Sequence, residues 1–322
     1  MKKVLITRRW PSVVEKQLGS EYDLHFNEAD TPLSVGELRQ ALLDFDAICP
    51  TVTDKLDRSV FEDIDTPRCK ILANFGVGYS HIDVDAAKSL GIMVTNTPDV
   101  LSECTADIAL TLMLMASRRA GEGERELRRG NWTGWRPTHL MGSKMSGKTL
   151  GIIGFGRIGQ ETAKRAHHGF GMKILVQNRS KISAQVLAQT DASQIDSVEE
   201  LLPQVDYLSL HCPGGEANRD LISAPELKAM KRTAVLINTA RGEVVNDAAL
   251  IDALNSGEIA AAGLDVYDRE PNLNPGYLSC ENAVLLPHLG SATTETREAM
   301  GFRVLANLKA FFEGETPPDQ VL

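Results

Sequence analysis

The chain has 322 residues, of which 43% are hydrophobic, and a formal charge of −9 at neutral pH. That length can bury a large core and suggests two domains. With a pI near 5.4 it lacks the basic footprint of a nucleic-acid or anionic-membrane binder, so an anionic ligand has to be met by a few local cations.

The N-terminal "MKKVLITRRW" has only Val4 to Thr7 before Arg8-Arg9 interrupts, too short for the apolar core of a signal peptide. "KVLIT", "DAICP", "KILANF" and "IMVTNT" read as strands, separated by the helical stretches "VGELRQALLDF", "DRSVFEDI" and "DVDAAKSLG". A long helical pattern then runs from near Ser102 toward Arg129 and stops at Gly130. Its apolar run Ile108–Ala116 falls well short of the ~20 residues that span a bilayer. After the loop "NWTGWRP" come further strands, "TLGIIGFG", "KILVQN", "DYLSLHCP", "AVLINTA", "AAAGLDV" and "NAVLLPH", again alternating with helices. The chain closes on an amphipathic helix, "TTETREAMGFRVLANLKAFFEG", stopped by Gly314 and Pro317-Pro318. Near-continuous apolar strands alternating with helices predict an α/β fold with parallel sheets covered on both faces, in two units. The five cysteines are widely spaced and form no C-x-x-C pair, which predicts reduced thiols in a cytoplasmic protein and no metal site.

Two glycine motifs compete for a phosphate. "GSKMSGKT", Gly142 to Thr149, matches the P-loop pattern, but a strand rather than a helix follows it, so it reads as a linker. Gly154-x-Gly156-x-x-Gly159 lies between a strand and a helix, with the next strand in place. The first glycine permits the tight turn, the second a close approach to pyrophosphate, and the third close helix–strand packing. This turn predicts dinucleotide binding, with backbone N–H groups and the helix dipole facing the phosphates.

Nineteen residues beyond Gly159, where an acid would bond the adenosine ribose, the chain has Asn178-Arg179-Ser180-Lys181. Asn178 cannot repel a 2′-phosphate, and Arg179, Ser180 and Lys181 all offer donors to one. These donors favour NADP(H) and also admit NAD(H); the alternative is a solvated polar loop.

Three later strands end in chemistry: "AVLINTARGEVVN" delivers Arg241, "AAAGLDVYDREPN" delivers Asp265 and Glu270, and "NAVLLPHLGSAT" delivers His288. Ligands of parallel α/β sheets bind at such carboxyl ends. Reduction of a 2-oxo acid needs a cation for the carboxylate, an acid to protonate the forming alkoxide, and a group that keeps the acid charged. Arg241, His288 and Glu270 suit these roles, because a carboxylate bonded to an imidazole favours the protonated ring.

Over essentially its whole length the chain resembles the D-isomer-specific 2-hydroxyacid dehydrogenase family, through the glycine turn, "NTARG", "GLDVYDREP" and "LPHLGSAT" in order. "RRAGEGERELRRGNWTGWRP" and "EPNLNPGY" resemble its glyoxylate/hydroxypyruvate reductase (D-glycerate dehydrogenase) branch. The resemblance implies a Rossmann-type dinucleotide-binding domain, residues 100–289, inserted into a flavodoxin-like substrate domain, residues 1–99 plus 290–322, with a cleft between them. It implies that Arg241 binds substrate, that Glu270 pairs with His288, and that His288 donates the proton. Val77 and Gly78 of "FGVGYSH" would offer amides to the substrate carboxylate, although Ser80 stands where the family commonly has Asp. Thr105, Arg157, Ile158, Cys212, Pro213, Thr239, Ala240, Asp265 and Gly290 would contact the cofactor, as would Arg241 and His288. Trp135 would reach a neighbouring subunit's active site, which implies a homodimer; plain dimer packing is the alternative for Trp132 and Trp135. The expected activity is reduction of glyoxylate and hydroxypyruvate. A reductase of another 2-oxo acid, such as a sugar-derived one, and a nucleotide-sensing corepressor-like protein remain the alternatives.

Overall fold

Parallel pairing organises all twelve strands that the computed structural model describes within residues 1–321. They divide between two compact units, Met1–Leu101 with the segment from Ser291 onward, and Ser102–Gly290.

In the first unit β1 (Lys3–Ile6), β2 (Asp23–Phe26), β3 (Ala47–Cys49), β4 (Ile71–Ala73) and β5 (Met93–Thr95) form one sheet in the order β2-β1-β3-β4-β5. That is the flavodoxin-like order. Every residue of β3 and β4 is fully buried, which is why these strands are apolar without alternation. The helix Thr294–Glu313 packs in this unit against the helix Ser12–Glu21, where a side chain at Gly301 would meet Val14 at 2.6 Å. Gly314, at φ +82°, ends it in the left-handed region. The tail beyond returns to β5: Val321 donates to the Val94 carbonyl at 2.8 Å, and Gln320 pairs antiparallel with Thr95.

The second unit holds β6 (Thr149–Ile153), β7 (Lys173–Gln177), β8 (Ser193–Gln194), β9 (Tyr207–Leu210), β10 (Val235–Asn238), β11 (Ala261–Leu264) and β12 (Ala283–Leu285). Their order, β12-β11-β10-β9-β6-β7-β8, reverses between β6 and β9. This is the doubly wound Rossmann order with one strand added, and it sets a switch point at the carboxyl ends of β6 and β9. Gly263 lets the helix Ser102–Ser117 sit on β11, since a Cβ there would meet Leu112 at 2.8 Å.

Two features depart from the sequence reading. The helix Ser12–Glu21 and the edge strands β2 and β8 carry too little apolar periodicity to stand out. The long helix is two, Ser102–Ser117 and Ala120–Arg128, broken where Arg119 adopts φ +52°. There the Ser117 carbonyl accepts Ser143 N–H at 2.8 Å, and any side chain at Gly142 would run into that oxygen. The P-loop look-alike leads into β6 at Thr149, with the Lys148 carbonyl accepting from Lys173. No described helix is long and apolar enough to cross a membrane.

Candidate active site

Beyond β6 the chain turns at Gly154, at φ +90°, where a Cβ would lie 2.6 Å from the Cys212 nitrogen. A side chain at Gly159 would run into the Gly154 carbonyl, so this glycine sets the close seat of the helix Arg157–Phe170 on β6. Gly156 differs: a Cβ there meets nothing within 4 Å, and no side chain caps the helix it opens. Open space in front of uncapped first-turn amides fits a pyrophosphate, so these residues suit a dinucleotide. Arg157 beside it is exposed and Ile158 half-buried.

The loop after β7 is wired from within. Asn178 Oδ1 accepts the Phe155 amide at 3.1 Å, which joins this loop to the glycine turn. Its Nδ2 donates to the carbonyl and hydroxyl oxygens of Ser180, at 3.1 and 3.0 Å. From β8, Gln194 accepts the Ile182 amide at 2.9 Å and donates to the carbonyls of Asn178 and Ser180. Asn178, expected to face the cofactor, thus has its side chain engaged in the loop. Arg179, Ser180 and Lys181 are exposed, and among the described residues neither cation has a carboxylate partner.

The carboxyl ends of β10, β11 and β12 bring the catalytic candidates together. His288 Nδ1 lies 2.7 Å from Glu270 Oε2, while Glu270 Oε1 accepts the Tyr267 amide at 2.9 Å. Burial pushes the Glu270 carboxyl up, but the His288 bond and charge, with Tyr267 and Arg241, hold it below the usual carboxylate range. Arg241 donates from Nη1 to the Ala240 carbonyl at 2.6 Å, and its Nε is buried without a partner in the structure. Burial lowers its pKa against the charges of Glu243 and Glu270, which favour the cation. An unsatisfied guanidinium donor of this kind suits an anionic substrate.

Asp265 is 1% exposed, and both carboxylate oxygens accept amides, from Leu289 at 2.6 Å and Gly290 at 2.8 Å. Burial raises its pKa, opposed by the Leu289 bond, the His288 charge and the Gly290 bond. Thr105 donates to the Gly290 carbonyl at 3.1 Å, so it too braces the turn after His288. Thr239 and Ala240 are buried, whereas Pro213 is exposed. Burial pushes the half-buried Cys212 thiol up to about 11, so it is a neutral thiol. Trp135 is 82% exposed on the segment between residues 131 and 143.

In the first unit the turn after β4 points its carbonyls inward. Asn74 Nδ2 donates to Gly76 and Gly78, Asn96 Nδ2 to Val77, and Thr97 N–H to Gly76. The Val77 and Gly78 amides have no acceptor among the described residues.

Several supporting residues escaped the sequence reading. Asn238 accepts the Ala240 amide and donates to the Arg241 carbonyl, fixing the loop that carries the arginine. Glu243 accepts the Gly215 amide at 3.0 Å, and Tyr267 donates to Leu264 and Leu286. Asn238 had a signal, a polar residue ending the apolar run "AVLIN". Glu243 and Tyr267 sit among functional neighbours with no spacing to distinguish them.

Residues 110–290 match the family model described as D-isomer specific 2-hydroxyacid dehydrogenase, NAD binding domain. A glyoxylate reductase of Thermococcus litoralis is 44% identical over 99% of this chain and 96% of its own. One from Pyrococcus furiosus is 43% identical over 99% and 95%. Among solved structures, an NADPH-dependent glyoxylate/hydroxypyruvate reductase of Sinorhizobium meliloti, in complex with NADP and malonate, superimposes with a TM-score of 0.85. It is 35% identical, covering 99% of this chain and 96% of that one.

Proposed function

The chain belongs to the D-isomer-specific 2-hydroxyacid dehydrogenase family and is an NAD(P)-dependent oxidoreductase; from that premise we propose that it reduces glyoxylate and hydroxypyruvate, to glycolate and D-glycerate, with NADPH preferred. The observation that carries the chemistry is the 2.7 Å bond between His288 Nδ1 and Glu270 Oε2, in the field of Arg241, whose Nε is buried without a partner. The names of the Thermococcus and Pyrococcus relatives support glyoxylate as substrate, and that of the Sinorhizobium structure supports hydroxypyruvate and NADPH.

When bound, the nicotinamide cofactor supplies a hydride to C2 of the 2-oxo acid. Arg241 holds the substrate carboxylate and draws charge onto the C2 oxygen. His288 gives its Nε2 proton to that oxygen as it becomes an alkoxide. Glu270 fixes the ring by accepting from Nδ1 and sets a carboxylate beside it. The His288 side chain keeps 31% of its surface exposed, which leaves a path for reprotonation. The amides of Val77 and Gly78 serve as further donors to the carboxylate.

The unit Ser102–Gly290 takes the cofactor: Gly154, Gly156 and Gly159 seat the pyrophosphate, and Arg179, Ser180 and Lys181 take the 2′-phosphate. The unit containing residues 1–101 takes the substrate. Exposed Leu127, Trp132, Trp135 and Met141 support a homodimer built on this segment, since large exposed apolar side chains in succession favour a partner. The cytoplasm is the compartment that five free thiols favour.

The test is cofactor oxidation by the purified protein with glyoxylate and with hydroxypyruvate, comparing NADPH and NADH. A higher kcat/KM with NADPH is expected. Preference for NADH would make residues 178–181 an ordinary polar loop. Absence of turnover with both keto acids would remove them as substrates and direct the assay to other 2-oxo acids.

A further inference from the structure

We infer that the C-terminal tail is a strut for the substrate-binding turn and that Asn96 is the positioning residue joining the two. This rests on the assignment of the Val77 and Gly78 amides to the substrate carboxylate.

A trans peptide is planar, so the carbonyl of one residue and the amide of the next point in opposite directions. Holding the Gly76 carbonyl inward therefore turns the Val77 amide outward, and holding the Val77 carbonyl inward does the same for Gly78. The Gly76 carbonyl is held twice, by Asn74 Nδ2 at 3.0 Å and by Thr97 N–H at 3.0 Å. The Val77 carbonyl has one donor among the described residues, Asn96 Nδ2 at 2.9 Å. The direction of the Gly78 amide thus depends on Asn96 alone.

Asn96 is itself fixed by the C-terminal part of the chain. Its amide donates to the Asp319 carbonyl at 3.2 Å, and its carbonyl accepts Asn307 Nδ2 at 3.2 Å. Asn307 is completely buried; its Nδ2 also reaches Asp319 Oδ2 at 3.0 Å, and its Oδ1 accepts the Asp319 amide at 3.1 Å. Arg303 clamps the Asp319 carboxylate through two bonds, at 2.7 and 2.6 Å. Both ends of the Asp319 residue are therefore locked, and Pro317-Pro318 stiffen the approach to it. The tail, the last helix, Asn96 and the turn form one connected network within a single unit, and its far end sets the direction of a substrate donor.

Steady-state kinetics of Asn96→Ala test this. The KM for glyoxylate should rise roughly 3- to 10-fold, the worth of one neutral hydrogen bond. The KM for NADPH and kcat should each change by less than about twofold, because the lost binding is uniform between ground and transition states. Asn96→Asp should raise the KM for glyoxylate further than alanine does, since it sets an oxygen against the Val77 carbonyl. Asp319→Ala should act in the same direction as Asn96→Ala. Asn96→Ser, polar but too short to reach Val77, serves if the alanine variant does not fold. An unchanged KM for glyoxylate in a folded variant, or an equal rise in both KM values, overturns the strut. Wild-type protein that turns over no 2-oxo acid overturns the assignment of the turn, and the strut's role with it.

Discussion

Asp265 holds the backbone of His288 in a left-handed turn: its carbonyl accepts the His288 amide at 2.9 Å, and its carboxylate takes the next two amides. His288 sits at φ +56°, a region that is costly for a residue with a side chain. The cost is about 1–3 kcal/mol and has to be over-determined by surrounding bonds. Asp265 supplies those bonds, so the direction of the His288 ring rests on a residue whose own carboxylate is turned away from solvent. Asp265→Ala should lower stability by about 1–3 kcal/mol, the cost of leaving buried donors unsatisfied, and lower kcat as well. Asp265→Asn should do little better, because one amide would face the Asn NH2 group. Thermal melts and kcat check this; wild-type kcat in Asp265→Asn would mean that the turn does not need the carboxylate.

Replacing the two members of the acid pair should give unequal losses. His288→Ala removes the proposed proton donor and should reduce kcat by roughly 100- to 10,000-fold. Glu270→Gln retains an acceptor for Nδ1 but not the charge, so it should reduce kcat by less. The net depression of the Glu270 carboxyl also has a sign in stability. Its contribution is present above its unfolded value of about 4.3 and is lost as pH falls through the lower folded value. The stability difference between wild type and Glu270→Gln should therefore narrow as denaturation is measured below that pH. A His288→Ala enzyme within a few-fold of wild type would remove His288 as the donor.

Residues 178–181 separate a charge role from a wiring role. Arg179→Ala should raise the KM for NADPH by roughly tenfold, as for a lost charge-assisted bond, and leave the KM for NADH unchanged. Asn178→Asp is the substitution that a simple acid-for-NADH rule would choose, but here it would set a carboxylate oxygen where Nδ2 now donates to Ser180. It should weaken both cofactors rather than improve NADH. A clean switch to NADH in Asn178→Asp would show that the loop tolerates the loss of its internal bonds.

What the sequence disclosed follows from the range of the forces involved. Strands β3, β9 and β10 are buried on both faces, and their apolar runs are readable at any position in the chain. Glu270 and His288 were conspicuous as polar residues at the ends of such runs, and the structure places them in contact. The helix break at Arg118-Arg119 was not readable, because it is set by Gly142, a partner distant in the chain, while the local residues favour continuation. The left-handed backbone of His288 has the same character, since Asp265 imposes it from just beyond the end of β11. Gln194, on a two-residue edge strand, secures a loop that precedes it by more than ten residues, and no local periodicity marks it. Contacts that span chain distance through single hydrogen bonds leave little trace in composition or spacing.

His211 gives the fold an acid sensitivity of its own. The ring lies at the end of β9, with Nε2 2.9 Å from the Ser209 hydroxyl and Nδ1 3.5 Å from that of Thr239, and burial lowers its pKa to about 3. Hydroxyl partners satisfy a neutral ring but supply no negative charge for an imidazolium, so the folded state holds His211 neutral. An unfolded chain protonates the same ring near pH 6.5. The unfolded state therefore binds more protons between these values, and stability present above about 6.5 is lost progressively as pH falls toward the folded value. Carboxylates titrate in the lower part of that window, so the informative range lies from pH 7 to 5. Urea midpoints of the wild type should fall across it, and those of His211→Gln should fall less steeply. Glutamine keeps a hydrogen-bonding group and cannot take up the proton. Parallel slopes for the two proteins would mean that His211 is protonated, or exposed to water, in the folded state.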